Sequence, residues 1–399
     1  MELSNRIKNV SSSATLSITS RAKFLRQQGK DIVNFAAGEP DFDTPLPIKE
    51  AAIKAITEGF TKYTPTAGTL ELRQKICEKF KKENNLEYNP EQIVVSCGAK
   101  HSLYNLLQVL INKGDSVLIP SPFWLSYPEM VKLAEGKAVI LQTSQRDGYK
   151  INVEKLAKKI TSSTKALILN SPSNPAGVVY SRQELEKISQ VCLEKNVTVI
   201  SDEIYEKIIF DNQQYCSIAS LGKDIYEHTF VVNGVSKSFS MTGWRIGYLA
   251  GNKGVIEAVT RLQDHSTSNP TSISQKAAEA SFSLDEEYYR QIRNIFQERR
   301  DYIIDYLESK LLKFISYVKP SGAFYVFVNI SKTKLDSFTF AKRLLDEYNV
   351  AVIPGGPFGF DDCIRISFAT SLEQIKKGLE RLEFFLIKLK SEKAQTNLG

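Results

Sequence analysis

Short runs of consecutive apolar residues punctuate the first two thirds of the chain. They are Ile93-Val94-Val95, Val117-Leu118-Ile119, Val139-Ile140-Leu141, Ala166-Leu167-Ile168-Leu169, Val197-Thr198-Val199-Ile200, Phe230-Val231-Val232 and Tyr248-Leu249-Ala250. Most are apolar at every position and do not alternate with polar residues. That is the pattern of strands covered on both faces, as in a parallel sheet between helices. Helical periodicity fills several of the gaps. Leu72, Ile76 and Phe80 make a stripe at i, i+4, i+8, and Ser181-Arg-Gln-Glu184 is a capping box opening a helix that runs to about Lys195. Alternating strands and helices predict an α/β domain built on βαβ units.

The pattern changes near residue 284. From there to about Leu312, Tyr289, Ile292, Ile295, Phe296, Ile303 and Leu307 recur at helical spacing and predict one long helix. Strand-like segments follow at Ala323–Val328, Ala351–Ile353 and Ile364–Ser367, mixed with helices over Ser337–Tyr348 and Leu372–Lys388. This is an α+β part. The tail from Lys390 has no apolar anchor and is expected to fray.

Composition narrows the function classes. Among 399 residues, 52 Lys and Arg against 45 Asp and Glu leave a net charge of +7, and basic residues are interleaved with acidic ones. A nucleic-acid binder concentrates its basic residues on a face or arm, so no nucleic-acid partner is expected. No apolar stretch approaches the roughly 18–20 residues of a membrane span, and the N-terminal stretch has no apolar core leading to a small-residue cleavage site. A cytoplasmic protein without membrane contact is the expectation. Five cysteines without a C-x-x-C pair and three histidines do not form a metal-binding pattern. No metal and no disulfide framework are expected.

In a parallel sheet, ligands bind beyond the carboxyl ends of the strands. After Val95 comes Ser96-Cys97-Gly98-Ala99-Lys100, where small residues let backbone N–H groups at a helix start approach a phosphate. After Leu169 comes Asn170-Ser-Pro-Ser-Asn174-Pro-Ala-Gly177, a rigid turn carrying an amide. Ile200 leads into Ser201-Asp202-Glu203-Ile204-Tyr205, a carboxylate and a phenol at a buried strand end. After Val232 come Ser236, Lys237 and, eight residues beyond the lysine, Arg245. Taken singly, each loop also fits a turn, a helix cap or a solvated charge. Taken together they place an amine nucleophile, a carboxylate, a phenol, an amide and a phosphate cradle at one sheet edge. Pyridoxal phosphate needs that set: a lysine for its aldehyde, a carboxylate for its ring nitrogen, donors for its phenolate and cations for its phosphate.

The stretches AAGEPDFDTP (36–45), KYTPTAGTLELR (62–73), PSPFWLSYPEM (120–130), NSPSNPAG (170–177), SDEIYEKI (201–208), SKSFSMTGWRIGYLAG (236–251), PSGAFYVF (320–327) and IRISFAT (364–370) carry a resemblance over nearly the whole chain. The sequence resembles the class I, fold-type I pyridoxal-phosphate-dependent aminotransferases, and within them the aspartate aminotransferases of the prokaryotic and plastid subgroup. The resemblance implies a large domain over residues 46–284, with a mostly parallel seven-stranded sheet flanked by helices. It implies a smaller α+β domain from residues 1–45 and 285–399, and a homodimer with shared active sites. Lys237 would carry the cofactor covalently and move the proton, Asp202 would pair with its ring nitrogen, and Tyr205 and Asn174 would bond its phenolate oxygen. Trp124 would stack on the ring and line the substrate site. Gly98, Ala99, Lys100, Ser236 and Arg245 would hold the phosphate, with Tyr63 reaching it from the partner subunit. Arg365 would bind the substrate α-carboxylate, aided by Asn174 and Gly38. Lys100 would take a distal carboxylate, with hydroxyls of Ser13 and Thr15 closing over the substrate.

The reaction implied is transfer of the amino group of L-aspartate to 2-oxoglutarate. The alternative is an aromatic or broad-range aminotransferase on the same scaffold, and a third reading is a lyase sharing the cofactor loops. A fold-sharing transcriptional regulator would need a DNA-binding domain ahead of Gly38 and is not expected. Two positions depart from relatives of this kind. Gly234 stands where some carry a phosphate-binding Ser, and Ser11-Ser-Ser-Ala-Thr15 stands where the prephenate-accepting subgroup often has K-P-S-A-T.

Overall fold

A computed structural model describes residues 2–11 and 14–396, apart from the side chains of residues 14–17 and 393–396. A two-residue strand, β1 (Val33–Asn34), comes first. The apolar runs then form β2 (Ile93–Ser96), β3 (Ser116–Pro120), β4 (Lys137–Leu141), β5 (Thr164–Asn170), β6 (Thr198–Asp202), β7 (Thr229–Gly234) and β8 (Gly247–Ala250). These seven make one sheet in the order β2-β8-β7-β6-β5-β3-β4. Its pairs are parallel from β4 through β3, β5 and β6 to β7, and β8 runs antiparallel to both β7 and β2.

The continuous apolarity of the runs is explained by cover on both faces. Val94, Val117, Ile119, Ile168, Ile200, Val232 and Leu249 face helices 99–110, 126–133 and 253–264, through Leu103, Leu107, Met130, Ile256 and Val259. Their neighbours in sequence face the other way. Leu118, Leu167 and Val199 pack with Leu185 and Ile188 of helix 182–194, while Val95, Val231 and Tyr248 pack with Leu72, Ile76 and Phe80 of helix 70–84. The capping box at Ser181 and Glu184 forms as read, with both reciprocal bonds present.

The C-terminal part holds β9 (Ser316–Tyr317), β10 (Tyr325–Asn329), β11 (Val350–Ala351), β12 (Ile353–Pro354) and β13 (Cys363–Ser367). An antiparallel sheet runs β12-β13-β10-β9, and β1 pairs in parallel with β11. Helix 286–306, helix 337–348 and the last helix, 372–396, pack over it through Phe296, Ile303, Phe340, Leu344, Leu379 and Phe385. One expectation is corrected here. The tail does not fray at Lys390, because the helix continues to Thr396. The apolar stripe stops at Leu389, but Glu392 bonds Arg343 of the neighbouring helix at 3.0 Å and lies 3.9 Å from Lys388 one turn back, so charge pairing carries the helix on. Among the described residues no helix is long and apolar enough to cross a membrane, and no cluster of His, Cys, Asp and Glu is placed to hold a metal ion.

Candidate active site

The loops that leave the carboxyl ends of β2, β5, β6 and β7 converge on a cavity of about 330 Å³. Gly38, Ala99, Lys100, Trp124, Asn174, Asp202, Tyr205, Ser236, Lys237, Arg245 and Arg365 all line it. β13 delivers Arg365 from the C-terminal sheet, and the irregular stretch after β1 delivers Gly38.

At one end lies Asp202, the last residue of β6 and only 4% exposed. Burial raises its pKa to about 6, against the opposing pull of a hydrogen bond from Tyr127 and of the Lys237 charge. Tyr127 Oη donates to Asp202 Oδ2 at 2.6 Å, and the Ile204 N–H donates to Oδ1 at 3.3 Å. The carboxylate therefore stays poised, wanting a cation but not abandoned to an apolar core. Lys237 sits beyond the end of β7, and its Nζ donates to the Gly38 carbonyl at 2.6 Å. Desolvation lowers its pKa to about 8, with Glu39 opposing and Arg365 and Arg245 adding to the fall. An amine so shifted is available in its neutral, nucleophilic form near neutral pH. Tyr205 Oη shares a 2.8 Å hydrogen bond with Tyr325 Oη, and burial holds both phenols above their ordinary pKa.

The other end is built for an anion. Gly98 caps helix 99–110 at φ +89, a conformation that L side chains rarely adopt, and a Cβ there would run into the Arg245 guanidinium. Arg245 is tied down by donating to the carbonyls of Thr242 at 2.8 Å and Cys97 at 3.2 Å. Its guanidinium stands against the helix start, and Ser236 lines the same cavity, a set of groups that could bind a phosphate. The Gly234 departure also has a reason. A Cβ at position 234 would stand 2.9 Å from the Gly247 Cα, so a serine does not fit between these two strands.

Arg365 is the most telling group. It is 2% exposed, and its hydrogen bonds go to neutral oxygens: Nη1 to Asn174 Oδ1 at 3.1 Å and Nη2 to the Ala36 carbonyl at 2.9 Å. Its Nε has no hydrogen-bond partner, and the guanidinium lies 4.4 Å from the Tyr325 ring centroid. A buried guanidinium with spare donors is costly until an anion arrives.

The remaining expectations fall differently. Lys100 lines the cavity with its Nζ 4.8 Å from the Trp124 ring centroid, and burial lowers its pKa. Tyr63 is 90% exposed and not part of this cavity. Ser13 and the Thr15 side chain lie outside the described residues. Tyr127, Tyr325, Asn170 and Glu39 were not singled out from the sequence. Asn170 Nδ2 donates to the Asp202 carbonyl at 2.9 Å, and Glu39 accepts from Thr242 at 2.8 Å. All four stand inside the quoted stretches, but only their neighbours' chemistry pointed to a role.

The profile of the family described as Aminotransferase class I and II matches residues 30–382. The chain belongs to that family. Its members use pyridoxal phosphate, and the donor set fits that cofactor: a buried carboxylate, an amine, and cations with a helix start line one cavity. This aminotransferase is 49% identical to the aspartate aminotransferase of Bacillus sp. (strain YM-2) over 389 residues, 96% of this chain and 99% of that protein. It is 45% identical to a probable aspartate/prephenate aminotransferase of Rickettsia felis over 392 residues, covering 96% and 95%. The solved aspartate aminotransferase from Thermus thermophilus with maleate superposes with a TM-score of 0.91 at 41% identity, over 96% of this chain and 99% of that one. The seven-stranded sheet and the fold type expected from the sequence are those of its solved relatives.

Proposed function

We propose that this aminotransferase moves the amino group of L-aspartate to 2-oxoglutarate, giving oxaloacetate and L-glutamate, with pyridoxal 5'-phosphate as its cofactor. The observation that carries the reading is Arg365, buried and without an anionic partner, in the same cavity as Lys237 and Asp202. Aspartate aminotransferases stand at high identity and nearly full coverage, and the Thermus relative was solved with maleate, a four-carbon dicarboxylate.

The proposal gives the residues the following roles, with which the geometry agrees. Arg245, Ser236 and the N–H groups at Ala99 and Lys100 would hold the phosphate, Trp124 would cover the ring, Asn174 and Tyr205 would bond its phenolate oxygen, and Asp202 would face its ring nitrogen. The cofactor supplies an electron sink that stabilises negative charge developing at the substrate Cα. Arg365 would grip the substrate α-carboxylate through its planar fork and so orient the bonds at the substrate Cα. Lys237, its pKa brought down to about 8 by desolvation, takes the Cα proton in its neutral form and returns it on the other side of the exchange. Asp202, kept ionised by Tyr127, would hold the ring nitrogen of a bound cofactor in its protonated state. Lys100 offers its ammonium to the distal carboxylate.

The same proposal includes a two-domain division at about residues 45 and 284, a cytoplasmic setting in keeping with five unpaired thiols, and a homodimer. Leu46, Ile53, Ile56, Tyr63 and Leu70 are exposed large side chains around helix 46–57 and the turn after it. They suit a second copy that brings Tyr63 to the neighbouring site. The second reading is an aromatic or broad range including prephenate, and the Rickettsia relative's name favours its prephenate part. Half-reactions of purified holoenzyme with a panel of amino acids separate the two. The proposal expects aspartate and glutamate to convert the cofactor to its amine form fastest. Faster conversion by phenylalanine or tyrosine would overturn it in favour of the second reading.

A further inference from the structure

The stretch from Ala36 to Thr44 passes beneath the site with no helix or strand of its own. Two of its carbonyls hold two cations of the site: Ala36 O accepts from Arg365 and Gly38 O accepts from Lys237. Without a ladder, the position of such carbonyls depends on side-chain ties. Several of these lead back to the Lys237 loop itself. Thr242 donates to Glu39, Thr44 donates to the Ser240 carbonyl at 2.8 Å, and Trp244 Nε1 donates to Thr44 at 3.0 Å.

A further tie leads elsewhere. The two carboxylate oxygens of Asp41 each take one N–H of Arg299, at 2.6 and 2.9 Å. Arg299 belongs to helix 286–306, and its side chain is 9% exposed. Its guanidinium lies 5.1 Å from the Phe42 ring centroid, and Phe42 meets Phe296 of the same helix edge-on at 5.3 Å. Asp41 and Phe42 are thus gripped together by a bidentate ion pair and an aromatic contact, three residues from Gly38.

We propose that the Asp41–Arg299 pair is a positioning device for the reaction: by anchoring residues 36–44 to helix 286–306 it sets where the Gly38 carbonyl meets the Lys237 amine. This rests on the proposed role of Lys237 as the amine that moves the Cα proton. The amine is faced by the charges of Glu39, Asp202, Arg365 and Arg245, and its direct acceptor is the Gly38 carbonyl. A carbonyl orients an ammonium without competing for its proton, so it aims the group and leaves its proton free to return to substrate. An ångström of drift would take the 2.6 Å contact past hydrogen-bonding length, and misplacement on that scale costs up to about a hundred-fold in rate. Lysine cannot copy a two-pronged guanidinium contact, so the charge alone does not suffice.

The test uses full-length Arg299→Met, Arg299→Lys and Asp41→Asn. In the loaded enzyme, Arg299→Met and Asp41→Asn should lower kcat for aspartate about ten- to hundred-fold, with Arg299→Lys between them and the unsubstituted enzyme. KM should change less than kcat, since Arg365 keeps Asn174. In the cofactor-stripped chain, the pH dependence of Lys237 acetylation by acetic anhydride, read by peptide mass spectrometry, supplies a second readout. Losing the carbonyl disfavours the ammonium, so the midpoint should move down by about one unit. Unchanged kcat with an unchanged midpoint overturns the proposal. So does a lower kcat that tracks a lower melting temperature while the midpoint stays put. Borohydride trapping on the unsubstituted enzyme separates the two levels. No label on Lys237 refutes the proposed function itself, whereas a label there with inert variants refutes only the role of the ion pair.

Discussion

Replacing Tyr127 by Phe removes one oxygen from behind the cofactor site and leaves the ring. The ring is packed edge-on against Trp124 at 5.3 Å and is 2% exposed, so the fold should tolerate the change. What is lost is the 2.6 Å hydrogen bond to Asp202 Oδ2. A hydrogen bond to a charged group contributes about 1.5–3 kcal/mol, and 1.36 kcal/mol corresponds to one pKa unit. Burial raises Asp202 to about 6 in the cofactor-free chain; a protonated ring nitrogen lowers that starting value, and losing Tyr127 should raise it from there by about 1–2 units. The sign follows from which form is favoured: Tyr127 donates, so it stabilises the carboxylate, and its removal favours the neutral acid. A neutral Asp202 no longer holds a protonated ring nitrogen. The acid limb of the kcat/KM profile for aspartate should therefore move toward alkaline pH by about 1–2 units. Glu203 is buried next door and titrates at about 7, so Asp202→Asn is the control that isolates the limb belonging to Asp202. An acid limb that stays in place in Tyr127→Phe, with Asp202→Asn abolishing it, would refute the reasoning.

Arg365→Lys should lower kcat/KM for every amino acid tested, because the α-carboxylate is common to all and an ammonium offers no fork; a loss confined to acidic substrates would reassign Arg365. Lys100→Ser should lower kcat/KM for aspartate and glutamate by about 10–100-fold while phenylalanine changes little; an equal loss for all substrates with weaker cofactor retention would assign Lys100 to the phosphate. In the cofactor-free chain, the rate of cofactor capture should climb as pH rises through about 8, where Lys237 loses its proton, and Lys237→Ala should remove that rise.

Much of this site was legible because its parts stand at strand ends. Asp202, Asn174 and Lys237 each follow a buried apolar run, and such runs mark where a parallel sheet opens to ligands. What was not legible is what reaches the site from afar. Tyr127 is separated by 75 residues from Asp202 and Tyr325 by 120 from Tyr205, while Gly38, 199 residues from Lys237, entered only through the family resemblance. Local periodicity carries no information on which distant element docks where. Burial of charge was equally hidden. Lys79 reads as a solvated helix lysine, yet it lies buried in an ion pair with Glu206 that Asn84 and Asn233 complete. The β1 strand is two residues long and forms only because Val350 and Ala351 lie beside it. The helical tail past Lys390 depends on Arg343 of another helix.

The central claim is that Lys237 carries the cofactor opposite Asp202. Borohydride reduction of the loaded enzyme, followed by proteolysis and peptide mass spectrometry, tests it in one measurement. The account predicts a single pyridoxyl label on Lys237, in the peptide spanning Ser236 to Arg245. A label on Lys100 or any other lysine, or a reduced enzyme with no label, would contradict it.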